Sequence, residues 1–447
     1  MSKIVYYGVK VPFLDYENIA FQYTQNTTSN VTGVRGQTGF NAFWSALPFS
    51  SPTEASLGPS QLYQLGLITD PNPRSGRLAF TGSFPFIEIR NYERGLRAAN
   101  PNGSYADNFS QSNNFSLRTS RPLWEGARLD VNWDLRWSVN KNTQFRTDSL
   151  GMQTITGVTS TGSIERSYLI MPDFLFFKFF NTNIDEVGRK YTSLKNDAGD
   201  TRDQSEKLCQ AFEEGFEALP WLSKILRELM PRINWGLRWD GIEKLPFMSW
   251  ADRISLEHRY TSSMATGYRI DNDNGNRITE SKRAQYGFSP LIGLTFGFSK
   301  IWGGSMNINT RWASTKTYDL NTSSINIVET GSDEFSLTAD FKKTGFEVPF
   351  FGLSLKNDID FSFSFTLNKS SSHTYDVNNL GTGGQPREGT MRITIEPRVR
   401  YNISTRVTSS IFYRYSRTKP DASVGSTITG TTVHEGGLEL RIQISGS

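Results

Sequence analysis

The sequence predicts an all-β protein: an antiparallel transmembrane β-barrel with one helical insertion. Three observations predict it. From Phe351 to Leu367 apolar and polar residues alternate, with Phe351, Leu353, Leu355, Ile359, Phe361, Phe363, Phe365 and Leu367 on one parity, broken only by Asn357. Successive strand side chains point to opposite faces, so this is a strand with one apolar and one polar face. An ordinary strand has about 5–6 residues, whereas a tilted strand crosses a bilayer in about 9–11. Second, apolar residues are 36% of the 447, yet aromatics reach 13%. A polar lumen with a lipid-facing band and aromatic girdles accounts for both. Third, such runs recur between turn-forming residues, as antiparallel hairpins require.

The runs follow in order. Leu129, Val131, Trp133, Leu135, Trp137 and Val139 alternate with Arg128, Asp130, Asn132, Asp134, Arg136 and Ser138. Ile233, Trp235, Leu237 and Trp239 precede Ile254, Leu256, His258 and Tyr260. Further runs contain Ile292 to Phe298, Met306 to Trp312, Phe335 to Phe341 and Met391 to Ile403, and Leu438 to Ile444 closes the set. Lys342-Lys343-Thr344-Gly345 reads as a tight turn, and Lys369–Gly389 and Lys419–Gly436 as long polar loops. Short turns at one end and long loops at the other suit an outer-membrane barrel. No fixed repeat of the propeller kind is present.

Two segments break the alternation. Residues 31–77, rich in Gly, Pro and Ser, read as a loop or lumenal insertion. Residues 201–231 read as helix, because Leu208, Phe212, Phe216 and Leu219 recur at helical spacing, followed by a second short segment from Pro220. The predicted organisation is barrel strands over 1–30 and 78–200, the helical insertion at 201–231, and C-terminal barrel strands over 232–447. The helices are expected in the lumen or against the periplasmic rim.

Lumen-facing residues are predicted at Arg128, Asp130, Asp134, Arg136, Lys356, Asp358, Asp360, Arg392, Arg398 and Arg400. Lipid-facing residues are predicted at Trp133, Trp137, Phe361, Phe363 and Phe365. No run reaches the ~18 apolar residues of a membrane helix; Tyr168–Phe180 is interrupted by Pro172, Asp173 and Lys178. The residues after Met1 do not read as a signal peptide, so the chain is expected to be a piece of a longer protein. The net charge of +4, mixed in sign, argues against a nucleic-acid partner.

Catalytic signals are weak. Cys209 is the only cysteine, which excludes an internal disulfide. His258 shares the parity of Ile254 and Leu256 and reads as a packed or interfacial residue. Asp271-Asn272-Asp273-Asn274-Gly275 departs from calcium-loop spacing and reads as a hairpin tip. Asp358 and Asp360 stand about 6.6 Å apart along a strand, a spacing some glycosidases use, but they lie in rows of polar residues that a hydrated lumen explains without a catalytic role. The expectation is a protein that is not an enzyme and uses no cofactor or metal.

The chain resembles the C-terminal part of the SprA/Sov family, the outer-membrane translocons of the type 9 secretion system. The likeness rests on Gly58-Pro59-Ser60-Gln61-Leu62-Tyr63-Gln64-Leu65-Gly66-Leu67, Leu117-Arg118-Thr119 through Trp124 to Asn142, and Ile233-Asn234-Trp235 with Trp239-Asp240-Gly241-Ile242. His258-Arg259-Tyr260-Thr261-Ser262, Phe288-Ser289-Pro290-Leu291-Ile292-Gly293 and Leu355-Lys356-Asn357-Asp358-Ile359-Asp360-Phe361 complete it. The resemblance implies a very large barrel through which folded cargo proteins with C-terminal sorting domains reach the cell surface. It also implies a link to gliding motility, and accessory outer-membrane and plug subunits as partners beside the lipid bilayer. The ending Ile442-Gln443-Ile444-Ser445-Gly446-Ser447 departs from the terminal aromatic common in such barrels. The alternatives are another large outer-membrane barrel, such as a lipopolysaccharide-assembly or TonB-dependent transporter, and a soluble extracellular β-rich binding protein.

Overall fold

A computed structural model describes residues 18–33, 78–81, 88–91, 100–147, 153–170, 183–197, 199–218, 232–271, 276–348, 353–377, 384–404, 406–420 and 429–443. The fold is all-β and antiparallel, of the barrel-wall kind, with one helical insertion. The strands are β1 (Asn18–Asn30), β2 (Leu78–Thr81), β3 (Glu88–Asn91), β4 (Asn100–Trp124), β5 (Ala127–Thr147), β6 (Gln153–Ser167), β7 (Asn234–Asp240) and β8 (Arg253–Ile270). They continue as β9 (Arg277–Ile301), β10 (Gly304–Asn321), β11 (Asn326–Val348), β12 (Leu353–Asp376), β13 (Gln385–Asn402), β14 (Val407–Pro420) and β15 (Thr431–Ile442). β2 and β3 pair only with each other, and the rest form one 13-stranded sheet in which neighbours along the chain are neighbours in space. Among the described residues the order ends at β1 and β15, which do not pair with each other.

β9 has 25 residues and β12 has 24, so each extends roughly 80 Å at about 3.3 Å per residue. The strands run further than the alternation predicts. Lys342–Gly345 is no turn: β11 continues to Val348, absorbing Gly345 (φ 69°) at an irregularity between Thr344 and Phe346. The two long loops shrink likewise, because β12 and β13 reach Asp376 and Gln385, and β14 and β15 reach Pro420 and Thr431. Their Ser- and Thr-rich sequence extends the ladder although it lacks an apolar parity. Asn357, the break in the apolar row, donates to the Ile403 carbonyl at 2.8 Å, tying β12 to the connection after β13.

β6 and β7 occupy one position in the sheet. β5 pairs with β6 from Leu135 onward and with β7 from Ala127 to Asn132, and β8 pairs with both. A single strand is therefore interrupted between Ser167 and Asn234, where the chain leaves the sheet and returns. Side chains stitch the gap. Ser167 Oγ accepts from the Asp134 amide at 2.9 Å, and Asn234 Oδ1 accepts from the Ser262 amide at 2.8 Å.

The excursion carries two helices, α1 (Ile184–Lys195) and α2 (Gln204–Gly215). Asn183 caps α1 through the Glu186 amide and Asp203 caps α2 through the Glu206 amide. α1 corrects the expectation of strands through residue 200, and α2 lies within the predicted helix. The second segment from Pro220, like most of residues 31–77, lies outside the described residues. The helices approach closely: a Cβ on Gly215 would lie 2.5 Å from Val187 Cγ2.

The main core lies between this hairpin and the sheet. Leu208, Phe212 and Phe216 pack with Tyr260 and Met264 of β8, Ala284 and Phe288 of β9, Tyr318 and Leu320 of β10, and Ile327 of β11. Directly opposed residues in a ladder share a face, and these sheet residues share the face of Phe296, Phe335 and Phe363. The hairpin thus covers the apolar face of the sheet, not the face on which the predicted lumen-facing residues lie.

Charge pins it there. Glu213 of α2 bonds both Arg166 and Lys282, which emerge from the same face, and Glu217 pairs with Arg232 at 2.6 Å in near-complete burial. Burial pushes the Glu213 carboxyl up, but Lys282 and Arg166 outweigh it and hold it at about 2. A depressed carboxyl contributes stability above its ordinary value of 4.5, which is lost as pH falls through about 2. The buried Cys209 thiol, raised to about 11 by burial, reports on the docking. Dithiodipyridine, which reacts with thiols in acid, should leave Cys209 untouched at pH 5 and label it as pH approaches 2. In the Glu213→Gln protein, where Arg166 and Lys282 lose their shared partner, labelling should begin near neutrality. Equal labelling of both proteins at every pH would show that the ion pairs do not hold the hairpin.

Candidate functional site: the polar face and its groove

The ladder register sorts the predicted residues onto two faces. Asp360 opposes Arg400, Ser362 opposes Arg398, and Asn368 opposes Arg392. Their neighbours on the same strands, Phe361, Phe363 and Phe365, oppose Val399, Pro397 and Ile395 on the other face. On β5 the same alternation puts Arg128, Asp130, Asp134 and Arg136 on the polar face, and Trp133 and Trp137 on the apolar face. Lys356 lies in β12, but its side chain is outside the described residues.

The polar residues form two separate groups, because β7 to β11 lie between β5 and β12. On β12 to β14, Glu396 sits between Arg398 at 3.0 Å and Arg414 at 2.8 Å, while Arg398 also lies over the Phe412 ring. Asp358 is held by Lys342 at 2.9 Å and by Thr344. Asp358 is therefore neutralised by its neighbours rather than poised beside Asp360 as a hydrolytic pair.

The second group lines a groove of about 630 Å³ over the interrupted strand. Its walls carry Arg118, Arg128, Arg238 and Arg259 against Asp130, Asp134 and Glu257. Arg128 pairs with Asp130 at 3.1 Å and Arg238 with Asp240 at 3.0 Å. Arg118 and Arg259 have no ion-pair partner among the described residues. Arg118, Arg238, Glu257 and Arg259 were not among the predicted residues, although the parity rule applied to β4, β7 and β8 finds all four. The groove can attract anionic groups, but its solvated, mixed charge holds none tightly.

Apolar-face residues divide by exposure. Phe363 is 36% exposed, Trp312 47% and Leu438 72%, whereas Trp137 is only 7% exposed and packs with Leu135, Phe115 and Ile164. Protein covers Trp137, which corrects its assignment to lipid. His258 shares this face and has both ring nitrogens engaged, accepting from Trp235 Nε1 at 3.3 Å and meeting the Leu291 carbonyl at 2.6 Å through Nδ1. Among the described residues no His, Cys, Asp or Glu group is arranged to hold a metal ion, and no helix is long and apolar enough to cross a membrane.

No family model and no curated protein matches the chain. Solved structures align at low similarity, OmpT and OccK7 among them. OmpT (in-vitro folded), an outer membrane protein of Vibrio cholerae, is 8% identical over 78% of this chain and 99% of its own, with a TM-score of 0.18. OccK7 (OpdD) of Pseudomonas aeruginosa is 11% identical over 76% of this chain and 94% of its own, with a TM-score of 0.16. Scores this low carry no argument, and the fold assignment rests on the ladder itself.

Two glycines beside the groove should respond oppositely. Gly126, in the β4–β5 turn, has φ 78°, and a Cβ there would collide with the Asp240 carbonyl oxygen. Gly236 faces the groove, where a Cβ meets nothing closer than the His258 carbonyl at 3.7 Å. Gly236→Ala should leave stability unchanged or raise it by about 0.4–1 kcal/mol. Gly126→Ala should lower it by more than that, measured by thermal unfolding.

Proposed function

We propose that this chain is a section of the wall of an outer-membrane, protein-conducting barrel that exports folded cargo to the cell surface, of the SprA/Sov, type 9 secretion kind. The supporting observation is the two-faced ladder whose end strands do not meet. A sheet with lipid on one face and water on the other must close to leave no unpaired edge in the bilayer. Here β1 and β15 stand at opposite ends of the strand order, so we read them as pairing with further strands of a wider barrel.

The end with the shorter turns supports a membrane boundary. Trp302 and Gly303 form the two-residue turn between β9 and β10, both at positive φ. Asn is the favoured residue at the first position of such a turn. A tryptophan 74% exposed there, with Trp250 at 57% and Phe247 at 70% on the β7–β8 connection, where Trp250 packs on Phe296 and Phe298 of β9, suits the aromatic girdle at a membrane interface. On this reading the Phe361, Phe363 and Phe365 row meets lipid, and the polar face lines the path of cargo. Mixed charge, as around Glu396 and in the groove, lets cargo enter without being trapped. The barrel works by size and surface and carries out no catalysis. Its partners are cargo with C-terminal sorting domains, accessory and plug subunits, and the bilayer; gliding motility would depend on the same export.

Two measurements test this. Phe363→Arg should block membrane assembly and Ser364→Arg should be tolerated; equal tolerance would exclude lipid on the apolar face. A photo-crosslinking residue at Asp360 should capture exported cargo in cells, and one at Phe361 should not. An assembled barrel giving no cargo adduct from the polar face would exclude protein conduction.

A further inference from the structure

The apolar face is not uniform along its strands. In one zone it is open, with Ile292 at 46% and Trp312 at 47% exposure; in the next, Phe288 is at 2%, Tyr318 at 3% and Ile327 at 0%, beneath the α1–α2 hairpin. The zones meet at a specific irregularity in β9. Ile292 opposes Trp312 and Phe288 opposes Ser314, so β9 carries two more residues than β10 between these pairs. Two extra residues leave the parity intact, so both zones belong to one face. The His258 bond to the Leu291 carbonyl lies at this boundary.

The open zone adjoins the turn end, where β9 and β10 are joined by Trp302 and Gly303. The covered zone lies toward the other end, where the strands are joined by 148–152, 271–276, 322–325, 377–384 and 421–430. The turn end has 125–126, 302–303, 349–352 and 403–406, and its one long connection is 241–252 between β7 and β8. The hairpin's own outer surface is polar: the Arg189 side chain is 66% exposed and pairs with Glu186. Such a surface belongs in water or among headgroups, not in hydrocarbon.

Resting on the reading that lipid covers the open apolar zone, we propose that the α1–α2 hairpin sits outside the barrel wall, not in its lumen. It lies at the level of the lipid headgroups on the long-loop, extracellular side, with the bilayer ending at Ile292 and Trp312. The hairpin does above this line what hydrocarbon does below it. It covers an apolar wall that would otherwise present more oily height than one bilayer fills. The short-turn end is then periplasmic, as in outer-membrane barrels generally.

The test uses the complete protein reconstituted in vesicles in a Cys209→Ala background, with nitroxides at Arg189→Cys, Phe363→Cys and Ser364→Cys in separate preparations. Nickel chelated to lipid headgroups should relax the Arg189→Cys nitroxide several-fold more than the Ser364→Cys one. Dissolved oxygen should relax Phe363→Cys more than soluble nickel does. If Arg189→Cys responds to soluble nickel only, as a lumenal site would, the hairpin's placement is overturned while the membrane reading stands. If Phe363→Cys shows no preference for oxygen, the membrane reading fails and the placement with it.

Discussion

A one-residue slip anywhere between β1 and β15 would turn a whole strand's apolar side chains toward water, because the side-chain period is two. Register is therefore the constraint on which the rest of the structure depends. The ladder satisfies it through long uninterrupted pairings, such as Asn326 to Thr344 against Asp376 to Asp358. Its single-residue irregularities bound the open apolar zone, at the turn end as at Gly304/Met306 and Thr344/Phe346, or lie at the far end as at Gly267/Tyr268 and Ser372/His373. Across that zone the parity of every strand agrees with its neighbours.

The interrupted strand shows how an insertion is accommodated without loss of that register. The ladder gap at Ser167 and Asn234 is closed by side-chain bonds. The departing chain then covers the apolar face it leaves. Buried charge makes the docking specific: Glu213 and Glu217 carry compensating cations from the sheet and from Arg232. Breaking such a pair leaves an uncompensated buried charge, which costs more than the intact pair contributes. The groove on the opposite face follows from the same interruption, since Gly236 and the neighbouring Arg and Asp side chains frame the place where one strand gives way to the other.

Strand parity was legible in the sequence wherever a row of Phe, Leu, Ile or Trp marked it, as on β5, β12 and β13. Where Ser, Thr and Asn filled both faces, as in residues 369–376, parity carried no contrast and strand read as loop. α1 has a weak signature in the sequence, although Asn183 and Glu186 stand at capping-box spacing before Val187, Tyr191 and Leu194. Its composition is polar, and a helix seam of so few apolar residues is easily lost among strands. The groove's Arg118, Arg238, Glu257 and Arg259 each obeyed a visible parity, but nothing local shows that four strands bring them together.

By itself the sequence determined the all-β class, the two-faced character of the sheet, and which side chains share a face within each strand, because alternation is a local property of extended backbone. Only the tertiary structure decided that one strand is split, that the helices cover the apolar rather than the polar face, and that Trp137 is sheathed by protein. Those outcomes depend on which surfaces meet across large separations in the chain, and burial at a contact depends on both partners, whereas periodicity reports on one.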